Sequence, residues 1–266
     1  MINWLFVRLV LVRAIWPVLA FGTVGVWLTN SPQIHLGTAA LAAEMSQEEF
    51  EQRVRNYLLE HPEVLGEALN RLEAKQGEQE AAAGRAVLKD RAADVFQDPA
   101  SPVSGNPKGE VTLVEFFDYN CPYCRGMASL ITKAEAADPW LRIVYKEFPI
   151  LGPGSVFAAK AALAANKQGK YVTLHRALYQ LRGPVDEAKV LEVATNVGLE
   201  IQRMKADMQD SAIEGAIEKN VKLARALRIT GTPGFVVGDQ ISTGATDFDG
   251  LQSLIAKGRS GQTDAK

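Results

Sequence analysis

The chain has few of the residues on which most metal and nucleic-acid sites depend. It contains only two cysteines and three histidines among 266 residues, and those histidines lie far apart, at positions 35, 61 and 175. Its 29 Lys and Arg are nearly balanced by 31 Asp and Glu, for a net charge of −2. No run of basic residues marks a surface for a polyanion. We therefore expect neither a nucleic-acid partner nor a bound metal.

A long uninterrupted hydrophobic run is also missing from the N-terminus. The apolar run 14–28 has about 15 residues, which suits the core of a signal peptide and is short for a membrane-spanning helix. Residues 40–42 read A-L-A and resemble a cleavage site, so 1–43 is interpreted as a signal peptide. If the two arginines of this segment are tolerated, residues 2–28 could instead stay as an inner-membrane anchor. Both readings predict export to the periplasm, an oxidising compartment.

Both cysteines lie in one motif, C-P-Y-C, which follows the segment V-T-L-V-E-F-F. That segment is rich in β-branched and aromatic residues and predicts a buried central strand. Asp118 and Asn120 break the strand, and a helix is predicted after them. Unpaired backbone N–H groups and the helix dipole stabilise negative charge at a helix N-terminus, and such C-x-x-C thiols have pKa values lowered to roughly 3.5–7.5. We expect Cys121 to be the exposed nucleophile and Cys124 the resolving thiol, which together form a redox-active disulfide.

Three other uses of a C-x-x-C pair are weaker. Half of a zinc site needs two more Cys or His ligands at compatible spacing, which this chain does not provide. Haem attachment requires a histidine directly after the second cysteine, where Arg125 stands. A structural disulfide usually closes a longer loop, since the entropic gain grows with loop length.

The region 44–97 has a strongly helical composition. Ser46 and Glu49 match a capping box, and Pro62 suits the first residue of a second helix that continues to about residue 96. Apolar residues recur at helical spacing along this region: Phe50, Val54, Tyr57, Leu58, Val64, Leu65, Ala68, Leu69 and Leu72. The extension either folds back on the rest of the chain or forms an oligomerisation stalk over residues 46–80.

The remainder predicts an α/β domain over 98–259, followed by a flexible tail, 260–266. A linker with a short strand at 102–104 precedes the central strand, and a second strand covers 141–148. A helical insertion occupies about 153–228, with breaks near Gly169, Gly183 and Gly198. Two short strands around Gly238 form a hairpin, and a final helix starts after Asp247. We expect the first two long strands to be parallel and the hairpin antiparallel.

The segment I-T-G-T-P-G-F directly precedes this hairpin. A proline is tolerated there because it removes a donor only at the end of a strand. If the bond from Thr232 to Pro233 is cis, the Thr232 backbone becomes an exposed edge on which an extended peptide could pair. From the residues alone a trans bond is the default, because only about 5–6% of such bonds in folded proteins are cis.

The strand, C-P-Y-C and helix, together with the downstream G-T-P, resemble the thioredoxin superfamily. The segments F-F-D-Y-N-C-P-Y-C and K-E-F-P-I-L-G-P-G-S are similar to its exported DsbA-like branch, and the helical extension resembles ScsC-type proteins, which are related to copper tolerance. The resemblance covers roughly residues 46–258. It implies a thioredoxin-like fold with a helical insertion, and a cis bond before Pro233.

The resemblance also implies roles for individual residues. Glu115, six residues before Cys121, matches the buried acid of DsbA-like proteins. A carboxyl on an apolar strand has a raised pKa and could accept the proton of Cys124, although Glu115 could instead pair with Lys146. The substrate-binding residues implied are Pro233, Thr232, Tyr123 and Pro122.

The function expected is thiol–disulfide oxidoreduction on exported client proteins that contain cysteines. No cofactor is expected, because the electrons reside in the sulfurs. The threonine before the cis-proline and the stalk favour an isomerase or reductase that assembles as a homo-oligomer. A monomeric dithiol oxidase recharged by a membrane redox partner is the alternative. A third reading is a copper-tolerance protein that binds Cu(I) through the two thiolates.

Overall fold

The computed structural model describes residues 45–263 and divides the chain into two units, Met1–Glu60 and His61–Lys266. The signal peptide or anchor expected within residues 1–43 lies outside the described residues. In the first unit, helix α1 (Gln47–Glu60) begins after Ser46, whose Oγ accepts a hydrogen bond of 3.2 Å from the backbone N–H of Glu49. This bond confirms the expected N-cap. Along residues 45–263, no helix is both long and apolar enough to cross a membrane.

The second unit is built on a five-stranded sheet with the order β1-β3-β2-β4-β5. β2 and β3 are parallel, whereas β1 pairs antiparallel with β3, β4 with β2, and β5 with β4. The parallel pair and the antiparallel hairpin are those expected from the sequence, and the fold is thioredoxin-like. The five strands are β1 (Val103–Gly105), β2 (Val111–Phe117), β3 (Leu141–Glu147), β4 (Gly234–Val237) and β5 (Gln240–Thr243).

The helices of the second unit follow the expected pattern, with one additional break near residue 209. Between β3 and β4 the insertion contains five helices. The three expected breaks lie at Gly169, Gly183 and Gly198, which each adopt positive φ, a conformation that favours glycine, and the fourth break separates Asp207 from Ser211. The helices are α2 (Pro62–Asp90), α3 (Ala92–Phe96), α4 (Pro122–Ala137), α5 (Pro153–Asn166), α6 (Tyr171–Tyr179), α7 (Glu187–Asn196), α8 (Ile201–Asp207), α9 (Ser211–Ala226) and α10 (Phe248–Thr263).

The two faces of the sheet are covered by different helices because side chains alternate along each strand. Leu113 and Phe117 of β2 face a core shared with α4, α10 and most of the insertion. Val114 and Phe116 face the opposite way, toward α2, α3 and the end of α9. The central strand is therefore buried on both faces.

The part of the extension that belongs to the second unit packs against the sheet through its C-terminal half. Pro62 opens α2, as expected, and the C-terminal part of this helix buries Gly84 and Leu88. A Cβ on Gly84 would lie 2.8 Å from the carbonyl oxygen of Leu227, so this part of α2 packs tightly on the domain. Helix α2 ends at Asp90 rather than continuing to residue 96, and the separate short helix α3 covers Ala92–Phe96.

The C-terminal helix is longer than expected. Asp247 caps α10, and its Oδ1 accepts a bond of 2.8 Å from the backbone N–H of Gly250. Helix α10 runs to Thr263, so the prediction of a flexible tail from residue 260 is wrong at its start. Leu251 and Ile255 lie in the core, and this packing carries the helix past Gly258.

Candidate active site

Cys121 lies at the point where the central strand passes into α4. β2 ends at Phe117 and α4 begins at Pro122, so Cys121 is the N-cap of the helix. Its sulfur accepts a hydrogen bond from the backbone N–H of Cys124 at 3.4 Å. The thiol thus occupies the place where an N-cap oxygen would satisfy a free helix donor.

The side chain of Cys121 is buried, and the prediction that it would be exposed is wrong. It is 3% exposed, and its Sγ–H donates to the carbonyl oxygen of Thr232 at 3.2 Å. That carbonyl comes from a segment 111 residues away in sequence, which sequence reasoning could not place. The neighbouring Pro122 is exposed and Tyr123 is 67% exposed, so the thiol lies just beneath the surface.

The Thr232–Pro233 peptide bond is cis, as the resemblance implied. β4 begins directly after it and runs antiparallel to β2, with Gly234 opposite Phe116. The start of β4 therefore lies beside the end of β2. This pairing brings the Thr232 carbonyl to Cys121.

Cys124 is fully buried one helical turn further in. Burial raises the pKa of its thiol, and the nearby charge of Glu115 raises that pKa further. Both cysteines are free thiols in the structure. Cys124 therefore needs a base before it can act as a nucleophile.

Glu115 is the buried carboxyl whose charge acts on the Cys124 thiol. It is 1% exposed, and neither of its carboxylate oxygens has a hydrogen-bond partner in the structure. Burial raises the pKa of Glu115 from 4.5 to about 8, in the direction expected. The carboxyl is protonated over most of the neutral range.

The alternative pairing of Glu115 with Lys146 is wrong. Glu115 lies opposite Tyr145 in the parallel β2–β3 register, whereas Lys146 lies opposite Phe116. Paired residues of neighbouring strands share a face, so the two charged side chains lie on opposite faces of the sheet. Lys146 instead donates to the Asp94 carbonyl at 2.6 Å and belongs to the cluster that joins α3 to the sheet.

Sequence reasoning missed a second buried carboxyl on the Glu115 face. Glu147 ends β3 and is 1% exposed. Its Oε1 accepts hydrogen bonds from the hydroxyls of Tyr119 at 3.2 Å and Tyr171 at 2.7 Å, and burial raises its pKa well above the usual value. A glutamate inside the strand K-E-F was the available signal.

Arg125, which directly follows the C-P-Y-C motif, links α4 to the insertion. Its guanidinium donates to the carbonyls of Tyr179 and Gly183, each at 3.3 Å, and to that of Leu181. The helix that begins at the C-P-Y-C motif is thus tied to the end of α6 in the insertion. Nothing in the local sequence identifies these acceptors.

Across the described part of the chain, no group of three or more His, Cys, Asp or Glu side chains could hold a metal ion. Met127, the sulfur nearest to the motif in sequence, is buried. The reading of the chain as a Cu(I)-binding protein stays a prediction.

Comparison with known families gives two matches. Residues 112–256 match the family described as the DSBA-like thioredoxin domain. Residues 47–79 match the N-terminal domain of the copper resistance protein ScsC. The first match contains the C-P-Y-C motif and the Thr232–Pro233 bond, and the second covers α1 and much of α2.

Solved structures agree with the family matches. A thioredoxin-like oxidoreductase from Silicibacter pomeroyi is 45% identical, with a TM-score of 0.62, over 63% of this chain and 97% of that one. The catalytic domain of Proteus mirabilis ScsC is 30% identical, with a TM-score of 0.61, over 66% and 98%. A periplasmic thioredoxin-like protein from Salmonella enterica is 29% identical, with a TM-score of 0.58, over 64% and 95%.

Similar curated proteins include much longer chains. The Na⁺/H⁺ antiporter NhaA 3 of Salinispora tropica is 27% identical over 155 residues, which are 58% of this chain and 24% of the antiporter. The chain thus matches about a quarter of the length of such relatives.

Proposed function

This chain belongs to the DsbA-like thioredoxin-domain family of thiol–disulfide oxidoreductases, and from that premise we propose that it exchanges disulfides with cysteine-containing client proteins in the periplasm. The observation that carries the proposal is the position of the Cys121 sulfur. It lies 3.4 Å from the Cys124 N–H and 3.2 Å from the Thr232 carbonyl. The N-terminus of α4 and the backbone that precedes β4 therefore meet at a single thiol.

In the proposed reaction Cys121 reacts as a thiolate, which the N-terminus of α4 stabilises. The thiolate attacks one sulfur of a client disulfide, the client S–S bond breaks, and one client thiolate leaves. Cys124 then attacks the Cys121 sulfur, which forms the Cys121–Cys124 disulfide and releases the second client thiolate. The same steps in reverse oxidise a client dithiol.

Glu115, in the fraction of molecules in which its carboxyl is ionised, is proposed to take the proton of Cys124 during this second step. A buried thiol cannot release its proton to water directly, and Glu115 is the carboxyl whose charge already acts on that thiol. Because the pKa of Glu115 is about 8, the group can bind and release a proton near neutral pH. It would return the proton when the reaction runs backwards.

The client is proposed to bind beside the cis bond. The Thr232 backbone precedes β4 and offers an edge for pairing with an extended peptide, with Pro233 fixing its direction. Pro122 and Tyr123 are exposed next to Cys121, where they can contact the client chain.

We propose isomerase or reductase chemistry carried out by a homo-oligomer, with a monomeric oxidase and its membrane redox partner as the alternative. Helix α1 has no buried residue, and Phe50 and Leu59 are 57% and 68% exposed. In the first turns of α2, Leu65 and Leu69 are 48% and 58% exposed. Apolar helix surface of this kind gains most by packing against copies of the chain.

Exchange with glutathione tests the chemistry. Reduced protein is mixed with glutathione disulfide, and the products are separated after acid quenching. We expect the wild type to form the Cys121–Cys124 disulfide and Cys121→Ser to form none. Iodoacetamide should alkylate wild-type Cys121 faster at pH 6 than it alkylates free cysteine, and equal rates would contradict the proposal.

Surface charge tests the oligomer and the direction of the chemistry together. Leu69→Glu places a charge in the exposed apolar stripe of α2, and Gln76→Glu places the same charge on its polar stretch. We expect sedimentation to show a smaller species for Leu69→Glu and not for Gln76→Glu. Leu69→Glu should also lose the ability to reactivate a protein with scrambled disulfides, and it should still oxidise dithiols. If the wild type sediments as a monomer, the isomerase reading is wrong and the oxidase reading takes its place.

A further inference from the structure

The turn that carries Cys121 has only four residues, from Asp118 to Cys121, between the end of β2 and the start of α4. It is closed by one backbone hydrogen bond of 3.1 Å, from the N–H of Cys121 to the carbonyl oxygen of Asp118. The sulfur itself is held by the Cys124 N–H and the Thr232 carbonyl, and the Asp118 carbonyl also accepts from the Tyr179 hydroxyl at 3.4 Å. Two side chains of the turn add further bonds, which tie it to distant segments.

The Asp118 carboxylate is the first of them. It is 1% exposed and accepts four hydrogen bonds. Its Oδ1 accepts from the Asn120 N–H and the Ser155 hydroxyl, both at 2.7 Å. Its Oδ2 accepts from the backbone N–H groups of Ile150 and Leu151 at 2.8 and 2.9 Å. A single carboxylate thus joins the cysteine turn to the loop that follows β3.

The Asn120 side chain is the second. Its Oδ1 accepts from the Val185 N–H at 2.7 Å, and its Nδ2 donates to the Val185 carbonyl at 3.0 Å. The same Nδ2 donates to the Ser155 hydroxyl at 3.1 Å. This amide therefore pairs with a backbone amide in the way that a neighbouring strand would.

The two segments held by the turn also pack against each other. A Cβ on Gly154 would lie 2.3 Å from the Val185 carbonyl oxygen, so the residue at this position has to be glycine. The post-β3 loop, Val185 and the cysteine turn form one tightly fitted unit. None of these contacts takes part in the chemistry of Cys121, Cys124 or Glu115.

We propose that Asp118 and Asn120 are positioning residues for thiol–disulfide exchange: they lock the turn to the loop at 150–155 and to Val185, so that the Cys121 sulfur stays aligned with Cys124. The inference rests on the proposed function. Ring closure depends on the alignment of two sulfurs, and a misplacement of about 1 Å can cost on the order of 10²-fold in rate. Loss of either side chain should therefore slow closure more than it slows the first attack.

The test follows the two steps separately, with glutathione disulfide as the oxidant. In the first step the Cys121 thiolate attacks, the glutathione S–S bond breaks, and one glutathione thiolate leaves. In the second, Cys124 loses its proton, attacks the Cys121 sulfur and displaces the second glutathione thiolate. Acid quenching and mass spectrometry resolve the reduced, mixed-disulfide and closed forms over time.

Asp118→Asn and Asn120→Ala are compared with Leu88→Ala, which removes core contacts on the opposite sheet face. Asn at 118 keeps the shape of the side chain but turns an N–H₂ group toward backbone N–H donors. We expect both turn variants to accumulate the mixed disulfide, with closure slowed about 10- to 100-fold. In Leu88→Ala the Cys121–Cys124 disulfide should form at the wild-type rate, although we expect this variant to unfold at a lower urea concentration.

The other possible outcomes decide for or against the positioning role. Wild-type closure rates in folded Asp118→Asn and Asn120→Ala would overturn the positioning role. If either variant does not fold, Ser155→Ala replaces it, since it removes only the hydroxyl shared by Asp118 and Asn120. Closure in Ser155→Ala slowed severalfold would support the role, and an unchanged rate would overturn it. A wild type that forms no mixed disulfide would refute the proposed function itself.

Discussion

Replacing Glu115 by Gln should change how the stability of the protein depends on pH. The folded state holds the Glu115 proton up to a pKa of about 8 because the carboxyl is buried, whereas the unfolded chain releases it near 4.5. Between these values the folded state binds more protons, so the stability of the wild type falls as pH rises. Full ionisation of Glu115 should lower the free energy of unfolding by about 5 kcal/mol, because each unit of difference between the folded and unfolded pKa values corresponds to about 1.4 kcal/mol.

Most of that penalty falls in an accessible range. From pH 5 to pH 8 the wild type should lose about 3 to 4 kcal/mol through this one carboxyl. Glu115→Gln cannot ionise and should show no such loss. Its buried amide lacks partners just as the carboxyl does, but that cost does not depend on pH. The informative quantity is therefore the change with pH in the stability difference between variant and wild type.

Urea unfolding at pH 5, 6, 7 and 8, with a reductant that keeps both thiols free, measures this quantity. Titrating groups that do not interact with Glu115 are common to the two proteins, so their contributions cancel in the difference. Glu110→Gln removes an exposed carboxyl just before the same strand and controls for the loss of one charge. A Glu115→Gln difference that stays flat from pH 5 to pH 8 would show that Glu115 titrates normally, and the reasoning on its proton role would fail.

Three further predictions follow from single contacts. Gly154→Ala should lower the free energy of unfolding by about 1–3 kcal/mol, because the added Cβ would lie 2.3 Å from the Val185 carbonyl oxygen. Gly126→Ala is the control: the residue has open space around it within α4, so this variant should raise the free energy of unfolding by about 0.5–1 kcal/mol. Urea titration measures both changes. Burial lowers the pKa of Lys146 from 10.5 to about 8, so its deprotonation should add about 3 kcal/mol of stability as the pH rises from 8 to 10.5. In urea unfolding, the stability of the wild type relative to Lys146→Met should rise by that amount, because other groups titrate in both proteins. Cys124→Ala should stop at the mixed disulfide and gain the mass of one glutathione, and a variant that gains none would contradict the assigned order of attack.

Much of the fold could be predicted because its signals are local. The run V-T-L-V-E-F-F predicts a strand from side-chain type, and the structure places β2 at Val111–Phe117. Pro62 and Asp247 mark helix starts through their backbone and capping chemistry. The helix ends were less accurate, since packing rather than composition ends α2 at Asp90 and extends α10 to Thr263.

The candidate site divides in the same way. The C-P-Y-C motif is local and identified the two thiols, whereas the residues around Pro233 favoured a trans bond and only the resemblance to thioredoxin-like proteins implied the cis bond that the structure has. Burial of Cys121 depends on the Thr232 carbonyl, which only the β2–β4 pairing brings near. The bonds from Asp118 and Asn120 to distant backbone groups are also invisible in sequence, because backbone acceptors and donors carry no residue signature.

The sequence by itself therefore determined the candidate redox pair, two thiols one helical turn apart, and the resemblance added an acid six residues earlier on a predicted buried strand. Only the tertiary structure decided what surrounds them. Strand register is the physical reason, since side chains alternate faces with a period of two. A slip of one residue between β2 and β3 would have put Glu115 beside Lys146, and the observed register puts it opposite Tyr145, on the other face of the sheet from Lys146.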